Sequence, residues 1–167
     1  SKNFIVYNGV ILGVDSVILS LVMYATGNYL NPHWINSVAS IMLFIGLIVL
    51  GTKQFKEANN GLLTWQQGVK IGVGIAIIAG LIVVIYNYIF MTVIEPDFIE
   101  KVTAIQNEKM LEEGLSEKQI EAANEMGKKF QSPLIMSSLG IISYAIGGFI
   151  VAAITAAILK KTTEEQY

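Results

Sequence analysis

The chain contains no cysteine and no arginine, a single histidine (His33) and three prolines in 167 residues. Without thiols there is no disulfide framework, no thiolate metal site and no cysteine nucleophile. Eleven basic residues, all lysine, stand against thirteen acids for a net charge of −2, so the basic reservoir that nucleic acid recruits is missing and nucleic acid is not an expected partner. Charge of either sign is scarce, at 14% of residues, while hydrophobic residues make up 53% and mean hydropathy is +0.58. A domain wetted on all sides cannot be that apolar, and a lipid bilayer is the expected surrounding.

What the chain has instead is four long apolar runs, roughly 4–26, 34–51, 66–94 and 134–159. About 20 residues of helix cross the ~30 Å of hydrocarbon. Lipid offers the backbone no hydrogen-bond partners, so the runs are predicted to be helices. The first run carries no small-residue cleavage signal and reads as a retained span. The third is longer than needed, and either tilts or lifts Tyr86, Asn87 and Tyr88 into the interface. Tyr24, Tyr29 and Trp34 flank the first connection and Phe55 and Trp65 the second, as an interfacial aromatic belt would. The expected fold is all-α: one membrane domain over 1–167, a four-helix bundle with an extramembrane acidic hairpin at 95–133.

Lys2, Lys53, Lys56, Lys70, Lys160 and Lys161 fall on one side of this topology, and the five lysines of the insert fall on the other. The uncharged first loop, "GNYLNPHWIN", decides between them, because early helices dominate orientation. Both termini are expected in the cytoplasm, in a bacterial inner membrane.

Between Glu95 and Pro133 nine acids meet five lysines. Pro96 suits a first helical turn, and Gly114 a stop. Ser116 and Gln119 have capping-box spacing. Two short antiparallel helices are predicted, with stripes Phe98, Val102, Ile105 and Ile120, Ala123, Met126, Phe130 burying each other; the alternative is burial against a partner protein.

"GVILGV" (Gly9 to Val14) recurs as "GVKIGV" (Gly68 to Val73), and Gly46 has a counterpart in Gly147. If these echoes are structural, two helical hairpins are related by an axis along the membrane normal.

Helices in lipid associate by close packing and polar contact, so small residues mark their seams. Gly9, Gly13, Ser16 and Ser20 form one such row; Gly68, Gly72, Ala76 and Gly80 a second; Ala145, Gly148, Ala152 and Ala156 a third. They read as bundle or dimer seams rather than phosphate cradles, since none lies between a strand and a helix start.

Asp15 sits near the middle of the first span. An ionised carboxylate at that depth costs at least ~2.5 kcal/mol, so it requires protein, water or a proton. Asn8 projects from the same face; Ser143, Tyr144 and Ser40 are candidate partners at similar depth. Asp15 is either a proton or substrate site, or a protonated acid bonded to a hydroxyl that holds two helices in register. His33, beside Pro32 in a short loop, reads as solvated, lacking the companions a metal requires. No grouping of nucleophile and base, metal ligands, or cationic clamp and carboxylate is visible, so no catalytic, cofactor or metal residue is expected.

"NNGLLTWQQGVKIG", "YNYIFMTVIEPDF", "EEGLSEKQIEAANEMGKKFQSP" and "GGFIVAAITAAILKK" together resemble the small four-span bacterial membrane proteins grouped as domain of unknown function 4199, typical of Bacteroidota. The likeness covers nearly the whole chain and is most specific in the insert, at Pro96-Asp97-Phe98, Ser116 to Ile120 and Lys129 to Pro133. Glu95 stands where asparagine is more usual. The resemblance implies four spans in an inner membrane but brings no activity. Members are often encoded beside a polyprenyl-phosphate-type glycosyltransferase, which implies a membrane helper of such an enzyme, as anchor or flippase-like partner. The leading expectation is a non-catalytic accessory or scaffold subunit that packs on a larger membrane complex through its seams and outer hairpin. A small dimeric proton-coupled transporter using Asp15 is the remaining reading.

Overall fold

A computed structural model describes residues 3–163. They are organised as helices: α1 (Phe4–Ala25), α2 (Trp34–Ala58), α3 (Trp65–Ile89, continued by a π-helical turn Phe90–Ile94), α4 (Phe98–Glu112), α5 (Glu117–Lys128) and α6 (Pro133–Leu159). Among the described residues the only β pairing is an isolated antiparallel bridge between Leu63 and Lys161. Four helices are long and apolar enough to cross a membrane: α1, α2, α3 with its π turn, and α6. Their outward faces are apolar too, with Val6, Ile18, Ile41, Met42, Leu81 and Ile154 among the exposed side chains. Such a surface suits hydrocarbon and not water.

The helix limits differ from the apolar runs in one place. α2 does not stop at Gly51 but continues two turns to Ala58. Nothing between these residues breaks a helix, and Gly51 is an interior packing position: a methyl there would lie 2.6 Å from Ile75 Cδ1. The real stop is Asn59-Asn60-Gly61, where Asn60 and Gly61 adopt positive φ and Gly61 N donates to Lys56 O at 2.8 Å.

The chain divides into two compact units, Ser1–Val83 with Gly140–Tyr167, and Val84–Leu139. The division falls inside α3 and α6 rather than at Glu95 and Pro133. Phe90 and Met91 are buried, and Phe90 stacks edge-on to Phe98 with ring centres 5.3 Å apart, so the end of α3 packs with the insert.

In the first unit α3 is the hub. Its membrane-length window is 39% buried, against 17–22% for the other three. α1 runs parallel to it, with Ile5 over Gly74, Gly9 under Ile78 and Gly13 under Ile82. α6 runs antiparallel, pairing Gly68 with Ala156, Gly72 with Ala152, Gly148 with Ala76 and Gly80 with Tyr144. Every pair advances four residues on one helix and retreats four on the other, which is the i, i+4 ridge of a helix face. α2 closes the bundle through Ile48 and Gly51 against α3 and Phe44 against α6. The core is Leu12, Ile48, Leu63, Ile71, Ile75, Ala79 and Ala152.

One end of this bundle is tied by polar contacts. Lys56 Nζ donates to the carbonyl of Leu159 at 2.8 Å, and Leu63 and Lys161 exchange both backbone bonds. Trp65 Nε1 donates to Ala153 O at 3.1 Å. Thr64 and Gln67 form a reciprocal cap at the start of α3.

In the second unit α4 and α5 form the expected hairpin. Gly114 has φ +84, Leu115 N reaches Met110 O at 3.0 Å, and Ser116 and Gln119 complete the capping box.

Candidate functional site

The residues able to carry chemistry are the polar side chains inside the apolar helices. Asn8 is fully buried. Its Nδ2 donates to Phe4 O at 2.7 Å and to Gln54 Oε1 at 2.8 Å, while its Oδ1 has no partner. Gln54 lies in the two turns by which α2 outruns its apolar stretch, so the bond was not readable from a span ending at Gly51. Thr52, buried nearby in sequence, satisfies its hydroxyl on Ile48 O at 2.8 Å. Ser16 and Ser20 do the same on their own helix, at 2.7 and 3.0 Å.

Asp15 lies seven residues beyond Asn8, about 10 Å along the same face of α1. It is half-buried, and among the described residues no hydrogen bond or ion pair reaches it. The four residues proposed as one polar site are therefore not joined. Asn8 is committed to Gln54; Tyr144 packs edge-on to Phe44 at 5.6 Å and fills the space over Gly80; Ser143 is exposed. Ser40 bonds to Asn36 O at 2.9 Å. A protonated Asp15 bonded to a hydroxyl, locking two helices, does not describe this arrangement.

The glycines of the small-residue rows pack inside the chain. Gly9 and Gly13 meet α3; Gly68, Gly72, Ala76 and Gly80 meet α6. A methyl on Gly68 would sit 2.5 Å from Ala156 Cβ, so no foreign helix can enter there. At these glycine positions the seams serve as contacts within the bundle. Tyr144, not Ala145, closes the row on α6, because the i+4 register from Ala156 through Ala152 and Gly148 leads to position 144. The sequence echo also loses its structural meaning: Gly9 faces the other hairpin, whereas its counterpart Gly68 faces its own. Gly46 touches nothing within 4 Å, whereas Gly147 meets Phe44.

His33 is a helix cap rather than a bystander: its Nδ1 accepts from Ile35 N at 3.3 Å. No group of three His, Asp or Glu that could hold a metal exists among the described residues.

The α4–α5 hairpin departs from its predicted face. Ile120 is buried, but Met126 and Phe130 are 69% and 58% exposed, and Leu111 on α4 is 56% exposed. The facing row is Ile120, Asn124, Gly127 and Gln131 rather than Ile120, Ala123, Met126 and Phe130. Gln131, just beyond α5, donates to Thr103 Oγ1 at 3.3 Å. Thr103, Asn107 and Asn124 line the resulting cleft of about 470 Å³. Leu111, Met126 and Phe130 are left uncovered on this charged hairpin.

Comparison with curated proteins and with solved structures returns no match. A family model described as "Protein of unknown function (DUF4199)" matches residues 7–161, which take in α1 from Tyr7 onward, the other three long apolar helices and the hairpin between the last two. The chain belongs to the DUF4199 family of proteins of unknown function.

Proposed function

We propose that the protein is a non-catalytic accessory subunit of a bacterial inner membrane, docking on a larger membrane protein through the α4–α5 hairpin. The observation that carries this reading is the exposure of Met126, Phe130 and Leu111 on a segment rich in acids. Apolar side chains left open on a charged hairpin mark a surface that another protein covers. With its glycine seams filled internally, the bundle serves as the anchor and the hairpin as the contact. Lys53, Lys56, Lys160 and Lys161 gather where Leu63 pairs with Lys161, which favours that end as cytoplasmic and the hairpin as periplasmic. A polyprenyl-phosphate glycosyltransferase is one identity for the partner.

Purification from native membranes tests the reading. A larger protein is expected at fixed stoichiometry, and a Met126→Ser/Phe130→Ser variant is expected to fold and lose it. A solitary homodimer would overturn the proposal.

Asp15 favours a second reading. A half-buried carboxylate without a partner inside an apolar helix is where a proton-coupled transporter of two copies would hold its proton. Asp15→Asn should then abolish pH-dependent uptake in reconstituted vesicles; unchanged uptake excludes it.

A further inference from the structure

Two open clefts flank the lysine-bearing end of α3. The first, about 510 Å³, has apolar walls from Phe4, Ile5, Phe55 and Ile71. The second, about 550 Å³, follows Val69, Val73 and Ile77 on α3 and is bounded by Phe149 and Trp65. Lys70 borders both. It is exposed, and among the described residues no ion pair or hydrogen bond reaches it. Gln67 lines the first cleft beside it; its Oε1 is occupied by Thr64 N at 2.9 Å, so what remains of that amide is its donor half. Asn3 adds an amide to the first cleft and Gln66 one to the second, so the polar groups between the two apolar walls are one cation and neutral amides.

We infer that this end of α3 binds one anionic phospholipid, its phosphate on Lys70 and the Gln67 amide and one acyl chain in each cleft. The depth fits. Lys70 is five residues past Trp65, about 7.5 Å along the axis, and indole rings anchor at the headgroup level. A lysine one turn below that level reaches upward with its ammonium while its methylenes stay in the apolar wall. From there the second cleft continues to Ile77, roughly another 10 Å toward the bilayer centre. At the headgroup level the ammonium is attracted to a lipid phosphate by about 1 kcal/mol. A zwitterionic lipid, which brings its own cation, attracts it less.

Trp65 lines the second cleft and reports its occupant. In a Trp34→Phe background in lipid nanodiscs, phosphatidylglycerol with brominated chains is expected to quench Trp65 at a mole fraction about five-fold lower than brominated phosphatidylcholine, the preference one lysine near a membrane surface confers. Lys70→Gln should erase the preference and Lys70→Arg keep it, which separates loss of charge from loss of fold. Lys53→Gln, at the same end but outside both clefts, should leave it intact. Excess inorganic phosphate should not reverse it. Equal quenching by both lipids, equal loss in the Lys53 and Lys70 variants, or reversal by free phosphate would each overturn the assignment.

Discussion

Asn8 of α1 donates its side-chain amide to Gln54 of α2 at 2.8 Å, fully buried beside Gly51. Side-chain bonds between helices in lipid contribute about 0.6 kcal/mol on average and ~1.7 at most. The same side chain carries a buried Oδ1 with no donor, a defect that costs ~1–3 kcal/mol. The two effects oppose each other. Asn8→Ala alone is therefore expected to move stability by less than about 1 kcal/mol, whereas a double-mutant cycle with Gln54→Ala isolates the bond. The coupling expected from reversible unfolding in mixed micelles is ~0.6–1.7 kcal/mol. Strict additivity would show that this pair does not join the helices.

The α3–α6 seam tolerates no added methyl. Gly72 faces Ala152 and Ile48, and a Cβ there would lie 3.0 Å from Ile48 Cγ2 and closer still to Ala152. Backbone on one side and a branched side chain on the other leave nothing flexible to yield. Gly72→Ala is expected to cost ~1–3 kcal/mol, and pairing it with Ala152→Gly to recover part of that by moving the methyl across the seam. Gly46→Ala, with open space around it, should stay within ~0.5 kcal/mol of the parent. Thermal unfolding followed by circular dichroism ranks the three.

The seam was legible because small residues at four-residue spacing leave a mark that hydropathy does not blur. Which helix each row meets was not legible: Gly9 and Gly68 open near-identical hexapeptides, yet one packs between hairpins and the other within its own. Spacing defines a face of one helix, while the neighbour is set by how all four helices share the hub. Asp15 was equally visible, but its surroundings depend on residues from other helices and could not be read from its own span. The hairpin was anticipated through Gly114 and the Ser116/Gln119 cap, local signals acting over a few residues. Its rotation escaped because it depends on contacts between distant residues, such as Gln131 with Thr103 across 28 positions, that local patterning does not encode.

Lys56 caps α6 from a neighbouring helix, its ammonium on the Leu159 carbonyl at 2.8 Å. A cation at a helix C-terminus stabilises it by up to ~2 kcal/mol when partly buried. The adjacent Leu63–Lys161 bridge closes the same end through two backbone bonds. Lys56→Met should loosen this end without unfolding the bundle. Hydrogen exchange is expected to show lost protection at the amides of Leu63 and Lys161, with Ile75 and Ala79 unchanged. Uniform loss across all four would mean that the cap supports the whole unit rather than its end.

The absence of cysteine makes the topology directly testable, since any introduced thiol is the only one. The proposed topology, in which all four candidate spans cross, predicts the Asn60 turn and the segment after α6 on one side of the membrane, and the first loop and hairpin on the other. Asn31, Asn60 and Glu121 are exposed, and Thr162 follows the Leu63–Lys161 bridge. Single cysteines at Asn31 and Glu121 should react with a membrane-impermeant maleimide from the periplasmic side, and those at Asn60 and Thr162 only in inverted vesicles. That direction is the one the proposal takes from the lysines of the Asn60 end, because cytoplasmic loops retain positive charge. Reversed labelling of all four sites would invert the protein and leave the fold intact. Labelling of Glu121 together with Asn60 would mean that α3 and α6 do not both cross, and the four-span architecture would be wrong.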